Sequence, residues 1–277
     1  MIGIIGQGFV GNAVYQKFKN YYDVLTFDLD KTKSNSNMNE IIYKCENIFI
    51  CLPTPMDEDG SCNINIVKGV LSEIDLMVDN LETKRNIVIK STVPPGTTEK
   101  WNERYESLNI VFNPEFLTER NAVDDFNNQS RIILGGPRPA TTELRRLYSK
   151  VFPKAHIIKT GSTHAEMVKY VTNSFLATKV SFANEMYEIC QGIGLDYDKV
   201  IEYACYDDRL GTSHWNVPGP DGDFGYGGHC FPKDVKALIH LASDYDVSSV
   251  MLNATDQKNN NVRKNRDWEQ MKGRAVT

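Results

Sequence analysis

Through the first 160 residues, short apolar and β-branched runs alternate with stretches of helical spacing. Ile2–Ile5, Val24–Phe27, Ile48–Leu52, Ile87–Lys90, Ile110–Phe112 and Arg131–Leu134 read as strands, separated by turn chemistry such as Asp59-Gly60, Pro94-Pro95-Gly96 and Gly135-Gly136-Pro137. That alternation predicts a mostly parallel sheet covered by helices. Near residue 160 the pattern changes. Thr163-His164-Ala165-Glu166 reads as a capping box, and Val168, Val171, Phe175, Leu176, Val180, Ala183, Met186 and Tyr187 follow at near-helical spacing, so one long helix is predicted. Beyond it only helical patterns appear, apart from an irregular Gly/Pro/Asp-rich stretch from Gly211 to Phe224, and there is no internal repeat. The expected organisation is an α/β domain over residues 1–160 and an all-α domain over 161–277.

Composition narrows the function classes. The 277 residues are 41% hydrophobic and 24% charged with a net charge of −5, ordinary for a chain with a sizeable core. The only short basic stretch is Arg263 to Arg266, so neither nucleic acid nor an anionic membrane is an expected partner. Met1-Ile2-Gly3-Ile4-Ile5 lacks a charged lead, and no apolar run approaches the ~18 residues of a membrane span, which points to a cytoplasmic protein. Six cysteines show no C-x-x-C pair and no zinc-like Cys/His spacing; reduced thiols and no structural metal are expected.

Chemistry-bearing residues fall at the ends of the predicted strands. Gly6-Gln7-Gly8-Phe9-Val10-Gly11 follows the first strand and opens a helix, where glycines permit a tight turn and let backbone approach a pyrophosphate at the helix N-terminus. Asp28 ends the second strand 20 positions after Gly8, placed to accept hydrogen bonds from ribose hydroxyls and to repel a 2′-phosphate; Asp30 is a close competitor. NAD is therefore favoured over NADP, and the first domain is read as a Rossmann-like doubly wound sheet. Thr54 and Pro55, and Thr92 in Ser91-Thr92-Val93-Pro94, lie in loops at the ligand edge, as contacts or as plain turn residues. Glu115 in Asn113-Pro114-Glu115-Phe116-Leu117 is a candidate acid or base, or a solvated loop carboxylate. Lys169 and Asn173 lie four apart and share a helix face that serves either a ligand or solvent. Last, Gly225-Tyr226-Gly227-Gly228-His229-Cys230-Phe231-Pro232-Lys233-Asp234 sets a thiol among glycines whose N–H groups can approach a ligand, with a cation and a possible base beside it, the setting of a nucleophile. The other five cysteines read as small core residues.

In order, GQGFVG, LPTP, STVPPGTT, NPEFL, K-x-x-x-N and GYGGHCFPKD resemble the UDP-glucose/GDP-mannose dehydrogenase family over nearly the whole chain. The resemblance implies oxidation of a sugar C6 alcohol to a carboxylate with NAD taken up twice. It makes Cys230 the covalent nucleophile and Lys169 and Asn173 the oxyanion stabilisers. Asp234 and Thr92 would hold a water, and Glu115 would assist thioester hydrolysis. Glu119 and Lys233 join Gly6, Gly8, Phe9, Val10, Gly11, Asp28, Thr54, Pro55 and Thr92 as cofactor contacts. Phe116, Leu117, Lys169, Asn173, Gly227 and Arg209 would face substrate, Arg209 that of a neighbouring subunit. It also implies a homodimer through the central helix. Glu119 is followed by Arg120 where the family has a glycine, which leaves the local backbone of that loop open. The family's further nucleotide-binding domain is expected to be absent or supplied by a separate chain. The alternatives are a non-catalytic NAD-binding or dimerising homologue, and a dehydrogenase of a smaller alcohol or aldehyde.

Overall fold

In a computed structural model that describes residues 1–79 and 83–277, the chain separates into two compact units, Met1–Thr54 with Ile64–Lys169, and Pro55–Asn63 with Tyr170–Thr277. The first unit carries strands β1 (Ile2–Ile5), β2 (Val24–Phe27), β3 (Asn47–Ile50), β4 (Arg85–Ile89), β5 (Leu108–Phe112), β6 (Arg131–Gly135) and β7 (His156–Thr160) in one sheet of order β2-β1-β3-β4-β5-β6-β7. Its helices are α1 (Phe9–Phe18), α2 (Met38–Lys44), α3 (Asn65–Val78), α4 (Thr97–Arg104), α5 (Ala122–Asn127) and α6 (Arg138–Val151). Helix α7 (Ser162–Ile193) starts in the first unit and ends in the second, followed by α8 (Tyr197–Ala204), α9 (Phe231–Asp244) and α10 (Val250–Val262).

The strands read as unbroken apolar runs because both sheet faces are buried. Successive side chains point to opposite faces: Ile5, Ile48, Ile50, Ile87, Ile89, Ile110 and Phe112 pack with α2, α3 and α4 on one side. Ile4, Phe49, Val88 and Val111 pack with α1, α5 and α6 on the other. The fold is the expected α/β sheet, with β1 to β5 parallel, but β6 runs antiparallel to β5 and β7 parallels β6. Strand β7 carries no apolar run because it lies at the sheet edge with His156, Lys159 and other side chains in solvent, so hydrophobic patterning passes over it.

The predicted capping box does not form. Helix α7 starts at Ser162, and the Glu166 carboxylate instead accepts the N–H groups of Gly96 (2.6 Å) and Thr98 (2.8 Å), at the start of α4. Two anion-seeking helix N–H groups far away in sequence outcompete the local ones.

In the second unit, small apolar clusters around Tyr197, Trp215 and Tyr226 are supplemented by polar ties, chiefly the buried Arg263 guanidinium among Asp221, Asp223 and Asp267. The Pro55–Asn63 excursion pairs with the C-terminal segment, Met56 N–H to the Ala275 carbonyl and Thr277 N–H to the Met56 carbonyl.

Candidate active site

In the sheet, β1 lies between β2 and β3, so the connection order reverses across it. Open α/β sheets bind ligands beyond the carboxyl ends of strands at such a point. The glycine turn sits there, and its three glycines have different reasons to be glycine. Gly6 has φ +91°, and a Cβ on it would meet the Cys51 carbonyl oxygen at 2.4 Å; one on Gly11 would meet the Gly6 carbonyl oxygen at 1.9 Å. A Cβ on Gly8 would meet nothing within 4 Å. Gly6 and Gly11 are thus fixed by packing, while the space beside Gly8 suits a ligand. Helix α1 opens there with no side-chain cap and no acidic residue in its first turn, which leaves its positive end suited to a phosphate.

Asp28, just past β2, accepts the Gln7 N–H at 2.6 Å and the Asp30 N–H at 2.9 Å. Asp30 instead caps the short turn Lys31–Lys33 through Thr32. The carboxylate tied to the glycine turn is therefore Asp28. The Gln7 side-chain nitrogen is buried with no partner, an unfilled polar position at the same turn. Together these residues fit the pyrophosphate and ribose of NAD. Ser91 links the loops after β3 and β4 by accepting from Leu52 N–H (3.1 Å) and donating to its carbonyl (2.6 Å), with Thr54 and Thr92 buried in those loops. Phe9 and Val10 open α1, while Pro55 lies in the second unit.

Beyond β5, Lys169 Nζ donates to both the Glu115 carbonyl (2.6 Å) and its Oε1 (2.8 Å), and Glu115 Oε2 accepts the Leu117 N–H at 2.7 Å. Burial alone would raise the Glu115 pKa, but the Lys169 ammonium, the Leu117 N–H and the Lys90 charge together more than offset it and the carboxyl stays below its ordinary range. Phe116 packs under the Arg131 guanidinium, and Glu115, Phe116 and Leu117 line one cleft of about 330 Å³ with Lys90. Glu119 is partly exposed in the turn before α5.

In the second unit, Cys230 is the residue before α9, and Asp234 on the first turn of that helix donates its N–H to the Cys230 carbonyl at 3.0 Å. The Asp234 side chain, 1% exposed, accepts from Asn173 Nδ2 and from Lys233 Nζ, each at 2.6 Å. Burial disfavours the Lys233 charge, yet the adjacent carboxylate wins and raises its pKa. So Asn173, Asp234 and Lys233 form one buried set beside the thiol-bearing residue.

Two of the glycines before Cys230 use their N–H groups within the protein rather than holding them for a ligand. Gly225 donates to Asn184 Oδ1 (3.1 Å) and Gly228 to the Asp267 carboxylate (3.1 Å), while Asn259 clamps Tyr226 through both its N–H (2.7 Å) and its carbonyl (3.0 Å). A Cβ on Gly227 would meet Arg263 Nη2 at 2.3 Å. The turn is glycine-rich so that polar groups of α7, α10 and the segment after it can seat it closely. Arg209 is exposed and paired with Asp207 (Nε to Oδ1 2.9 Å). Nothing in the sequence marked Asn184, Asn259, Arg263 and Asp267 for this role, because the turn each one holds lies more than 30 positions away along the chain.

Residues 25–152 match the family model described as the UDP-glucose/GDP-mannose dehydrogenase family, NAD binding domain, and residues 163–261 match that family's central domain. The UDP-glucose 6-dehydrogenase of Rickettsia bellii (strain RML369-C) is 34% identical over 252 residues, covering 89% of this chain and 56% of that protein. The protein of the same name from Pseudomonas aeruginosa is 36% identical over 245 residues, 84% of this chain and 52% of that one. A solved UDP-glucose dehydrogenase from the hyperthermophilic archaeon Pyrobaculum islandicum superposes with a TM-score of 0.85 at 26% identity, covering 94% of this chain and 68% of that structure. The chain spans about half the length of the curated relatives it matches. With a glycine turn and acidic strand end suited to NAD, and both family models matched in order, the chain belongs to the UDP-glucose/GDP-mannose dehydrogenase family.

Proposed function

We propose that the protein is an NAD-dependent nucleotide-sugar 6-dehydrogenase that oxidises the C6 alcohol of a UDP-hexose, UDP-glucose, to the uronate, with residues 1–160 as its NAD-binding domain and 161–277 as its helical domain. The observation that carries this reading is the buried Asn173–Asp234–Lys233 set at the start of the helix preceded by Cys230. Bound NAD supplies the hydride acceptor for each of two oxidations. Asp234, with Thr92, holds the water that takes the alcohol proton. The Cys230 thiolate adds to the aldehyde carbon, the C=O π bond breaks as the C–S bond forms, and the oxygen takes a proton back from the held water to give a thiohemiacetal, which retains a reactive aldehyde on the protein. Lys169 and Asn173 donate hydrogen bonds to the oxygen as its charge develops. Loss of the second hydride, and of the hydroxyl proton to the same water, leaves a thioester. Water then attacks the thioester carbon and gives one proton to Glu115, the C–S bond breaks to regenerate the thiolate, and the acid so formed gives its remaining proton to solvent to leave the carboxylate.

The same reading includes a homodimer. Val171, Phe175, Phe182 and Ile189 are exposed on α7 at spacings of four and seven, one continuous stripe. Phe175 is 66% exposed, and a second copy of the same helix is the self-complementary cover for such a stripe.

With NAD+ and UDP-glucose, the purified protein should form two NADH per uronate, and Cys230→Ser should halt before the acid is released. Absence of NADH with UDP-glucose, GDP-mannose and UDP-N-acetylhexosamines overturns the proposal; NAD+ binding without turnover on any alcohol would leave an NAD-binding homologue.

A further inference from the structure

Lys90 follows the last residue of β4 and is only 3% exposed. Its Nζ donates to two neutral oxygens, Asn113 Oδ1 at 3.0 Å and the Pro114 carbonyl at 3.4 Å, and lies 5.8 Å from the centre of the Phe126 ring. Asn113 is itself buried and held at both ends of its amide: Oδ1 also accepts the Tyr148 hydroxyl, and Nδ2 donates to the Ile133 carbonyl at 2.7 Å. The two residues that Lys90 holds come immediately before Glu115, whose carbonyl and carboxylate both hold Lys169. A continuous series of hydrogen bonds and peptide links thus runs from the end of β4 to the ammonium of α7.

A buried ammonium bonded to neutral oxygens is costly, and burial pushes the Lys90 pKa down to about 8. An uncharged side chain of the same length would fill the space with less penalty. The charge has a counterpart in Glu115, which lines the same cleft and, against its burial, is held ionised by Lys169, then by the Leu117 N–H, and last by Lys90. The other groups facing them are neutral or engaged elsewhere. Cys51 at the end of β3 is pushed up to about 12 by burial, and Tyr148 of α6 well above its ordinary value by the same cause. Arg131 lies on the Phe116 ring, and Asp125 of α5 accepts the Thr118 N–H.

We propose that Lys90 is a positioning residue for the Glu115–Lys169 pair, fixing the Asn113–Glu115 turn through Asn113 and the Pro114 carbonyl and supplying the second positive charge beside the buried carboxylate. The proposal rests on reading that pair as part of the dehydrogenase site, and its test has an arm that needs no turnover. In the full chain labelled with ¹³C at glutamate carboxyls and assigned with Glu115→Gln, the Glu115 signal should show a second inflection near pH 8 as Lys90 loses its proton. In Lys90→Met that inflection should vanish and the main titration move up. In kinetics, kcat should fall about tenfold or more while KM for NAD+ stays within about twofold. A merely structural lysine would move neither inflection. No inflection near pH 8 in the unmodified chain, or a Lys90→Met chain with unchanged titration and kcat, overturns the proposal. A wild-type chain that shows the inflection but turns over no nucleotide sugar overturns the dehydrogenase reading and leaves the Lys90–Glu115 link standing.

Discussion

Gly8 and Gly11 belong to one hexapeptide yet answer to different demands, and substitution should separate them. Gly11→Ala drives a methyl into the Gly6 carbonyl, so it should destabilise the fold by about 2 kcal/mol or more as well as weaken NAD+ binding. Gly8→Ala enters open space; thermal unfolding should be unchanged within about 1 °C while NAD+ affinity, read by calorimetry, falls about tenfold or more. Equal losses of stability in the two variants would refute the idea that Gly8 is kept for a ligand. The motif was legible in the sequence because its meaning is local: a turn, then a helix start. The choice of Asp28 over Asp30 was not, because it depends on which carboxylate reaches Gln7 across the sheet.

At the scale of elements, α4 and α7 are joined by one fully buried carboxylate. Glu166→Ala leaves the Gly96 and Thr98 N–H groups without their acceptor and should cost about 2–3 kcal/mol, measured by urea unfolding. Burial is the leading influence on Glu166 and raises its pKa, partly opposed by those N–H groups. The folded state therefore holds this proton more tightly than the unfolded chain. Its contribution to stability is greatest at acid pH and is lost as pH rises through the folded-state titration. Glu166→Gln should remove that pH dependence, and a melting-temperature difference from wild type that stays constant across the range would contradict the assignment. The sequence showed the helix and the carboxylate but assigned the latter to a local box; sequence spacing cannot reveal a competitor 68 residues away.

For the whole molecule, the proposed dimer rests on the exposed stripe of α7. If the proposed dimer forms, Phe175→Asp and Phe182→Asp should convert it to monomer in light scattering with NAD+ binding retained, since the turn from Gly6 to Gly11 belongs to the first unit and both side chains to the second. A wild type that remains monomeric would remove the dimer from the proposal. The amino-acid pattern alone determined six of the strands, the long helix, the glycine turn and the stretch around Cys230, because each depends on neighbours within a few residues and on a period of two or 3.6. Tertiary structure alone decided that β6 and β7 reverse direction, and that the glycines before Cys230 are seated by Asn259, Arg263 and Asp267. It also decided that Asn173 and Lys233 converge on Asp234, and that Lys90 lies buried behind Glu115. A polar side chain acquires its role from the partner that compensates its burial, and that partner is brought near only when distant segments fold together.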